Sequence, residues 1–92
     1  MITLIVNIEV EPTHMVAFGR ACMVASIRAL EYEKHCLSFI SHKDPNKENG
    51  WILIETYTNQ HALDFHRTTQ HFLEWRDTVK DMGTRVVTRL NH

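Results

Sequence analysis

Three histidines spaced five residues apart, in the segment HALDFHRTTQHF, have the widest choice of chemistry in this sequence. His61, His66 and His71 could bind a metal ion, transfer protons or lie in solvent. In a continuous helix a step of five residues turns the side chain through about 140°, so the three cannot share a face. Metal sites on a single helix use histidines four residues apart instead. The spacing therefore argues against such a site, and we predict no bound metal.

A pair of threonines between His66 and His71 predicts a break in that helix. Threonine is β-branched, which disfavours helix interiors, and its hydroxyl caps helix starts well. We predict one helix over residues 59–66 and a second over residues 69–81. His61 then faces solvent, His66 ends the first helix, and His71 lies in the first turn of the second.

His66 is the histidine best placed for acid–base chemistry. The strand-like segment WILIETY, residues 51–57, alternates so that Glu55 and Tyr57 share a face with Trp51. If this strand passes beneath the end of the first helix, Glu55 can orient His66, and Tyr57 can hydrogen-bond a substrate. The alternative is that a bond between His66 and Glu55 only joins the helix to the sheet. These residues by themselves leave both interpretations open.

The elements that would position these side chains follow from hydrophobic periodicity. Residues 2–10 alternate as a strand, Pro12 and Thr13 mark a helix start, and apolar residues at helical spacing carry that helix to about Leu30. Further strands are predicted over residues 35–43, 51–57 and 84–90, with the turn DPNKENG after the first of them. The order predicts an α+β, ferredoxin-like β-α-β-β-α-β fold with a four-stranded antiparallel sheet, in a single domain over residues 1–92.

Composition excludes several functions. Ten Lys and Arg against eleven Asp and Glu give a net charge of −1 without a basic run, which argues against nucleic acid as a partner. No apolar run approaches the roughly 18 residues of a membrane span, and the N-terminus alternates like a strand rather than a signal peptide. Two cysteines without CxxC spacing indicate reduced thiols, so we expect a cytoplasmic protein.

The first strand also predicts an oligomer. In the ferredoxin-like plan the helices cover one face of the sheet, and the opposite face of this strand carries Ile5 among polar residues. An exposed apolar sheet face is covered most simply by a second sheet. We therefore expect a homodimer.

The segments LEYEKHCLSF, ILIETY and ALDFHRTTQHF resemble, in order and spacing, the antibiotic biosynthesis monooxygenase (ABM) domain family. The resemblance implies a dimeric α/β barrel of two ferredoxin-like protomers and a pocket between sheet and helices. It also implies oxidation of a quinol or phenol by O2, with no cofactor. It places Glu55 and Tyr57 at the family's strand end, and His66 and His71 at its two histidines. The family's acid-Pro-Gly-Cys turn corresponds to residues 33–36, where Lys and His replace Pro and Gly.

Three functions remain open from the sequence. The first is a cofactor-free monooxygenase with His66 as base, oriented by Glu55. Its substrate-binding residues are Asn7, Phe65, His71, Phe72 and Trp75. The second is an isomerase of a small keto compound, because FHRTTQHF most resembles the branch that acts on phosphorylated autoinducer-2. A phosphorylated substrate would need a cationic clamp, with Arg28, Arg67, Arg85 and Arg89 as candidates. The third is a non-catalytic, dimeric small-molecule-binding module. The resemblance disfavours haem breakdown, because Arg76 stands near the position of that branch's proximal histidine.

Overall fold

A computed structural model describes residues 1–92, with four strands and three helices. The strands are β1 (Ile2–Val10), β2 (Cys36–Lys43), β3 (Gly50–Tyr57) and β4 (Gly83–Asn91). The helices are α1 (Met15–Tyr32), α2 (Gln60–Thr68) and α3 (Gln70–Val79), and a 3-10 turn, Pro12–His14, precedes α1. Helix α1 continues two residues beyond the predicted end at Leu30. Helix α3 stops two residues short of the predicted end at Asp81.

All four strands pair antiparallel in the order β2-β3-β1-β4. The N-terminal strand is central: Leu4 pairs with Glu55 on one side and with Arg89 on the other. The predicted ferredoxin-like α+β fold is confirmed. This pairing places Glu55 beside Leu4 of the central strand β1, on the face of the sheet that the helices cover.

The core lies between the helices and the inner face of the sheet. Every second residue of β1 is buried there, as the alternation predicts. Helix α1 buries the stripe Phe18, Cys22, Ala25 and Ala29 against the sheet. The small side chains of Cys22 and Ala29, both fully buried, allow the helix axis to approach the strands closely. Helix α1 therefore packs closely against the inner face of the sheet.

The break between α2 and α3 falls at Thr69, within the predicted RTTQ segment. Thr69 has extended backbone angles, φ −70° and ψ 148°. Its hydroxyl donates to the carbonyl of His66 at 2.7 Å and accepts from the N–H of Phe72 at 3.3 Å. One side chain therefore ends α2 and caps α3. At the other end of α2, Asn59 caps the helix, because its side-chain oxygen accepts from the N–H of Ala62 at 2.9 Å.

The outer face of the sheet has no helix against it. Ile5 pairs there with Ile54, and Val86, opposite Asn7, is 69% exposed. The apolar residues of this outer face are Ile5, Ile40, Ile52, Ile54, Val86 and Leu90. None of the helices is both long enough and apolar enough to span a membrane.

Candidate active site

Glu33 follows the last residue of α1 and is held in place by its own backbone. Its N–H donates to the carbonyl of Ala29 at 3.0 Å, and its carbonyl accepts from the N–H of Cys36 at 3.2 Å. These bonds turn the chain from α1 into β2 and direct the Glu33 side chain inward, where the residue is only 3% exposed. A carboxylate this deeply buried needs hydrogen-bond donors to replace water.

Two histidines supply those donors. Nδ1 of His66 lies 2.8 Å from Oε2 of Glu33, and Nε2 of His71 lies 2.6 Å from the same oxygen. Five residues apart in one straight helix, the two rings would point in different directions. The break at Thr69 reorients α3 so that both rings reach one carboxylate.

A second buried carboxylate lies on the other side of His66. The hydroxyl of Tyr57 donates to Oε1 of Glu55 at 2.6 Å. The same oxygen is 3.9 Å from Nε2 of His66, too far for a hydrogen bond. The sequence pointed to Glu55 as the group that orients His66, whereas the structure gives that contact to Glu33. Nε2 of His66 is left without a hydrogen-bond partner in the chain and faces Glu55.

The two carboxyl groups have pKa values shifted in opposite directions. Burial by itself would raise the pKa of Glu33, but hydrogen bonds from His66 and His71 outweigh it and lower the pKa. Burial raises the pKa of Glu55, and the hydrogen bond from Tyr57 offsets this only in part. Burial, and then the nearby charge of Glu55, also raise the pKa of Tyr57. Glu33 is therefore the carboxyl group that ionises more readily than an ordinary glutamic acid, and Glu55 the one that keeps its proton to a higher pH. Such a separation is typical of acid–base pairs.

Nε2 of His66 faces a small cavity of about 100 Å³ that His66 and Glu55 both line. Phe72 and Trp75 form its aromatic wall, and the Phe72 ring meets the His66 ring edge-on at 5.0 Å between centroids. The remaining lining residues are Leu4, Val6, Leu63, Arg67, Arg85 and Val87. The cavity thus combines an imidazole nitrogen, a carboxyl group and an apolar wall.

The other residues predicted for the site lie elsewhere. Asn7 is on the outer face of the sheet, opposite the cavity. Phe65 is 56% exposed and lines a separate cleft beside Tyr32. Tyr57 is fully buried behind Glu55 and does not line the cavity, and His71 contacts Glu33 instead. Of the five predicted substrate-binding residues, the structure brings Phe72 and Trp75 to the cavity.

Glu33, His66 and His71 are also the residues with donor atoms close enough to consider for a metal ion, all within 4.8 Å of one another. The separations of 2.6 and 2.8 Å between oxygen and nitrogen are hydrogen-bond distances. Two ligands of one tetrahedral zinc ion lie about 3.3 Å apart, given metal–ligand bonds of about 2.0–2.1 Å. The arrangement is that of a carboxylate accepting two N–H bonds.

Glu33 was not among the residues singled out for chemistry from the sequence. The apolar periodicity of α1 could not indicate a role for Glu33, because this residue lies just beyond the end of the helix. The signal that existed was its match to the acid of the family's acid-Pro-Gly-Cys turn. That turn retains its acid although Lys34 and His35 replace Pro and Gly.

Comparison with known proteins agrees with this fold. Residues 1–78 match the model of the antibiotic biosynthesis monooxygenase family. The chain belongs to this family. A curated relative, the uncharacterised protein sll1783 of Synechocystis, is 29% identical over 76 residues, which are 83% of this chain and 51% of that protein. The chain therefore spans about half the length of that relative.

Solved structures of similar proteins superpose over nearly the whole chain. PA3566 from Pseudomonas aeruginosa is 25% identical with a TM-score of 0.89, and the match covers 99% of this chain and 92% of that one. Rv0793 from Mycobacterium tuberculosis is 24% identical with a TM-score of 0.90, covering 99% and 93%. A candidate antibiotic biosynthesis monooxygenase from Nitrosomonas europaea is 24% identical with a TM-score of 0.92, covering 100% and 98%. At these identities the last two likenesses establish the fold.

Proposed function

We propose that this chain is a cofactor-independent monooxygenase that oxidises a quinol or another small phenol with O2. The observation that carries the proposal is the placement of His66. Its Nδ1 is bonded to Glu33 at 2.8 Å, and its Nε2 faces the cavity 3.9 Å from Glu55. Family membership supports a monooxygenase-type activity in general terms. The site residues, their roles and the phenolic substrate are the proposal.

Glu33 makes His66 a base with a defined direction. An ionised carboxylate only accepts hydrogen bonds, so Nδ1 of His66 must carry the proton. In the neutral ring the lone pair is then on Nε2, which faces the cavity. When Nε2 takes a proton from the substrate, the imidazolium is stabilised by the negative charge of Glu33, as in other carboxylate–histidine pairs.

The proposed reaction needs no outside reductant. Removing the hydroxyl proton of a phenol gives an electron-rich phenolate, which can pass an electron to O2. Transfer of one oxygen atom to the ring converts the phenol and O2 into a quinone and one molecule of water. The substrate supplies both electrons and both hydrogens of that water. The protein must supply a base, an apolar space and a proton donor.

Glu55 is the proposed proton donor. Burial favours its neutral form, and the hydroxyl of Tyr57, 2.6 Å away, holds the carboxyl in one orientation. A neutral carboxyl on the cavity wall can protonate an oxygen that develops negative charge as O2 is reduced. Tyr57 acts on the reaction through Glu55 and not by contact with the substrate.

Oxygen uptake with a panel of hydroquinones and substituted phenols tests this proposal. His66→Gln keeps a polar side chain of similar length but cannot act as a base, so uptake should fall by about 10²-fold or more. His61→Gln, on the exposed face of the same helix, is the matched control and should retain wild-type uptake. Equal rates for His66→Gln and wild type would remove His66 from the mechanism.

The second candidate function is isomerisation of a small phosphorylated keto compound. One observation favours it: of the four arginines considered from the sequence, Arg67 and Arg85 line the cavity, and neither forms a hydrogen bond or ion pair within the chain. Arg28 is paired with Glu74, and Arg89 donates to Gln60. Two unpaired guanidinium groups beside His66 could hold a phosphate. Turnover under strict anaerobiosis would select the isomerase, whereas an absolute requirement for O2 would select the monooxygenase.

We also propose that the protein is a cytoplasmic homodimer. Two unpaired, buried cysteines support the location. The apolar outer face of the sheet supports the dimer, because a second copy would cover it. Sedimentation equilibrium should give twice the chain mass, and Val86→Glu, which puts a charge on that face, should give a monomer. Exposed Glu31→Lys on α1 is the control and should leave the dimer intact. A wild-type monomer at micromolar concentration would contradict the proposal.

A further inference from the structure

We infer that the substrate carries an anionic group, a carboxylate or a phosphate, and that a positively charged cleft next to the cavity binds it. The inference deepens the proposed function and rests on it for one point, that the reacting hydroxyl lies at His66. The residues that would bind the anion are Arg76, Lys80 and Arg85. They take no part in proton transfer, so their role is in substrate binding and specificity.

The cleft lies between the end of α3 and the first residues of β4. It has a volume of about 180 Å³, and its apolar lining includes Phe18 of α1 and both Trp75 and Val79 of α3. Trp75 and Arg85 line this cleft and also the cavity that Nε2 of His66 faces. The cleft and the cavity are therefore neighbours that share a wall.

The sizes of the two spaces favour one ligand that extends across both. The cavity beside His66 has about 100 Å³, which is small compared with the roughly 300–1,000 Å³ of pockets that bind small molecules. With the cleft added, the space comes close to the lower end of that range. A phenol whose hydroxyl lies at His66 can thus extend a substituent past Trp75 into the cleft.

The cleft attracts anions because all of its charged residues are cations. They are Arg76, Lys80 and Arg85, and no aspartate or glutamate lines it. Lys80 and Arg85 have no ion-pair partner in the chain. Arg76 bonds to Asp77 through Nε, at 3.2 Å, which leaves its two terminal nitrogens free. A cleft with charges of one sign and apolar walls concentrates ions of the opposite sign.

Arg85 is the cation that connects the cleft to the cavity. Its guanidinium carbon lies 6.0 Å from the centre of the Trp75 ring, at the shared wall. A guanidinium that lies over an aromatic ring keeps its N–H groups free for an oxyanion. The carboxyl group that lines the cavity is Glu55, and burial raises its pKa, so it opposes an anion less than an ordinary glutamate does. An anion bound at Arg85 would orient the rest of the substrate toward His66.

Calorimetric titration without O2 tests the inference independently of turnover. The probe meta-hydroxyphenylacetate carries a carboxylate, and meta-hydroxyphenylacetamide has nearly the same shape without the charge. The acid should bind the wild-type protein about tenfold more tightly than the amide, and added salt should reduce this preference. A third probe, meta-hydroxyphenyl phosphate, shows which oxyanion the cleft prefers. Tighter binding of either oxyanion than of the amide supports the inference.

The double variant Arg76→Gln, Lys80→Gln removes two charges from exposed side chains, so it should fold as the wild type does. It should lose most of the preference for the acid and bind the amide with unchanged affinity. In oxygen uptake its KM for the acid should rise about tenfold, with little change in kcat. Lys47→Gln is the control, because Lys47 is an exposed cation that lines neither the cleft nor the cavity.

Three results would overturn the inference. The first is equal affinity of the wild type for the amide and both oxyanions. The second is a preference for the acid that the double variant retains in full. The third is no binding of either oxyanion at millimolar concentration. A preference that the double variant loses, in a protein that takes up no oxygen with any phenol, would defeat the proposed oxidation and leave the anion-binding cleft established.

Discussion

Glu33 and His66 are 33 residues apart in the chain, yet Nδ1 of His66 lies 2.8 Å from Oε2 of Glu33, and both residues are buried. One residue follows the end of α1 and the other lies in the last turn of α2. The contact therefore joins the two helical segments to each other and, through the turn that precedes β2, to the edge of the sheet. It gives the site an ionised carboxylate with a defined partner.

The first prediction concerns this contact and stability. Glu33→Gln removes the charge and puts an amide NH2 group at one of the two oxygen positions, both of which lie within 3.0 Å of Nδ1 of His66, so two buried donors face each other or one bond is lost. The free energy of unfolding should fall by about 1–3 kcal/mol. Urea denaturation followed by tryptophan fluorescence measures it. Glu31→Gln, exposed two residues earlier, is the control and should stay within about 0.5 kcal/mol of wild type. Equal losses for the two variants would contradict a structural role of the contact.

The second prediction concerns the pH dependence that Glu55 gives to stability. Its folded pKa is raised above the ordinary value of 4.5. Below 4.5 the group is protonated in both the folded and the unfolded chain, and it contributes no pH dependence. As the pH rises, the unfolded chain loses its proton first, so folding loses stability up to the folded pKa and is then constant.

Glu55→Gln removes that contribution. The variant should gain stability relative to wild type as the pH is raised from 4.5 to 8, and the difference in free energy of unfolding between the two proteins is the quantity to plot. Comparing the proteins at each pH cancels the other titrating groups. A difference that is constant over this range would show that the pKa of Glu55 is the same in both states.

The third prediction concerns Gly83, the first residue of β4. A Cβ atom at this position would overlap the carbonyl oxygen of Glu9 in the neighbouring strand. The obstacle is backbone, which cannot move without disturbing the β1–β4 pairing. Gly83→Ala should therefore cost about 1–3 kcal/mol of unfolding free energy. Thr84→Ala, one residue along on the same exposed strand, should cost much less, and equal stability for Gly83→Ala and wild type would refute the close approach.

The fourth prediction concerns the two thiols. Burial is the main cause that raises the pKa of Cys22 to about 11 and that of Cys36 to about 12. Thiolates are the reactive species, so at pH 8 both residues should react with a disulfide reagent at least about a hundredfold more slowly than a free thiol. Both should react fully in urea. Mass spectrometry after brief labelling identifies the modified residue, and rapid labelling of either cysteine in the folded protein would contradict its burial.

Most of the fold could be predicted from the sequence, because the signals that define each strand and helix are local. The alternation in β1 and the stripe Phe18, Cys22, Ala25 and Ala29 are read from residue spacing alone, because burial follows the periodicity of each element. The break at Thr69 was equally local, since a threonine caps a helix through atoms within three residues of itself. Exact ends were less predictable: α1 runs on to Tyr32, where no local residue forces a stop at Leu30.

The candidate site was predictable only in part, because local signals do not connect residues that are far apart in the sequence. His66, Glu55 and Tyr57 were singled out because one helix end and one strand face present them together. Asn7 and Phe65 came from the resemblance and from proximity along the chain, and the structure puts them on other surfaces. Glu33 belongs to a different element from its histidines, and no spacing rule connects residues that far apart.

The sequence by itself thus determined the order of strands and helices, the inner face of each and the break that separates His66 from His71. Those features depend on residues within a few positions of one another. Only the tertiary structure decided which carboxylate each imidazole contacts. That choice depends on where the end of α1 lies relative to the α2–α3 junction, which packing against the sheet sets. The same packing leaves Glu33 charged, Glu55 favouring its neutral form, and Nε2 of His66 facing the cavity.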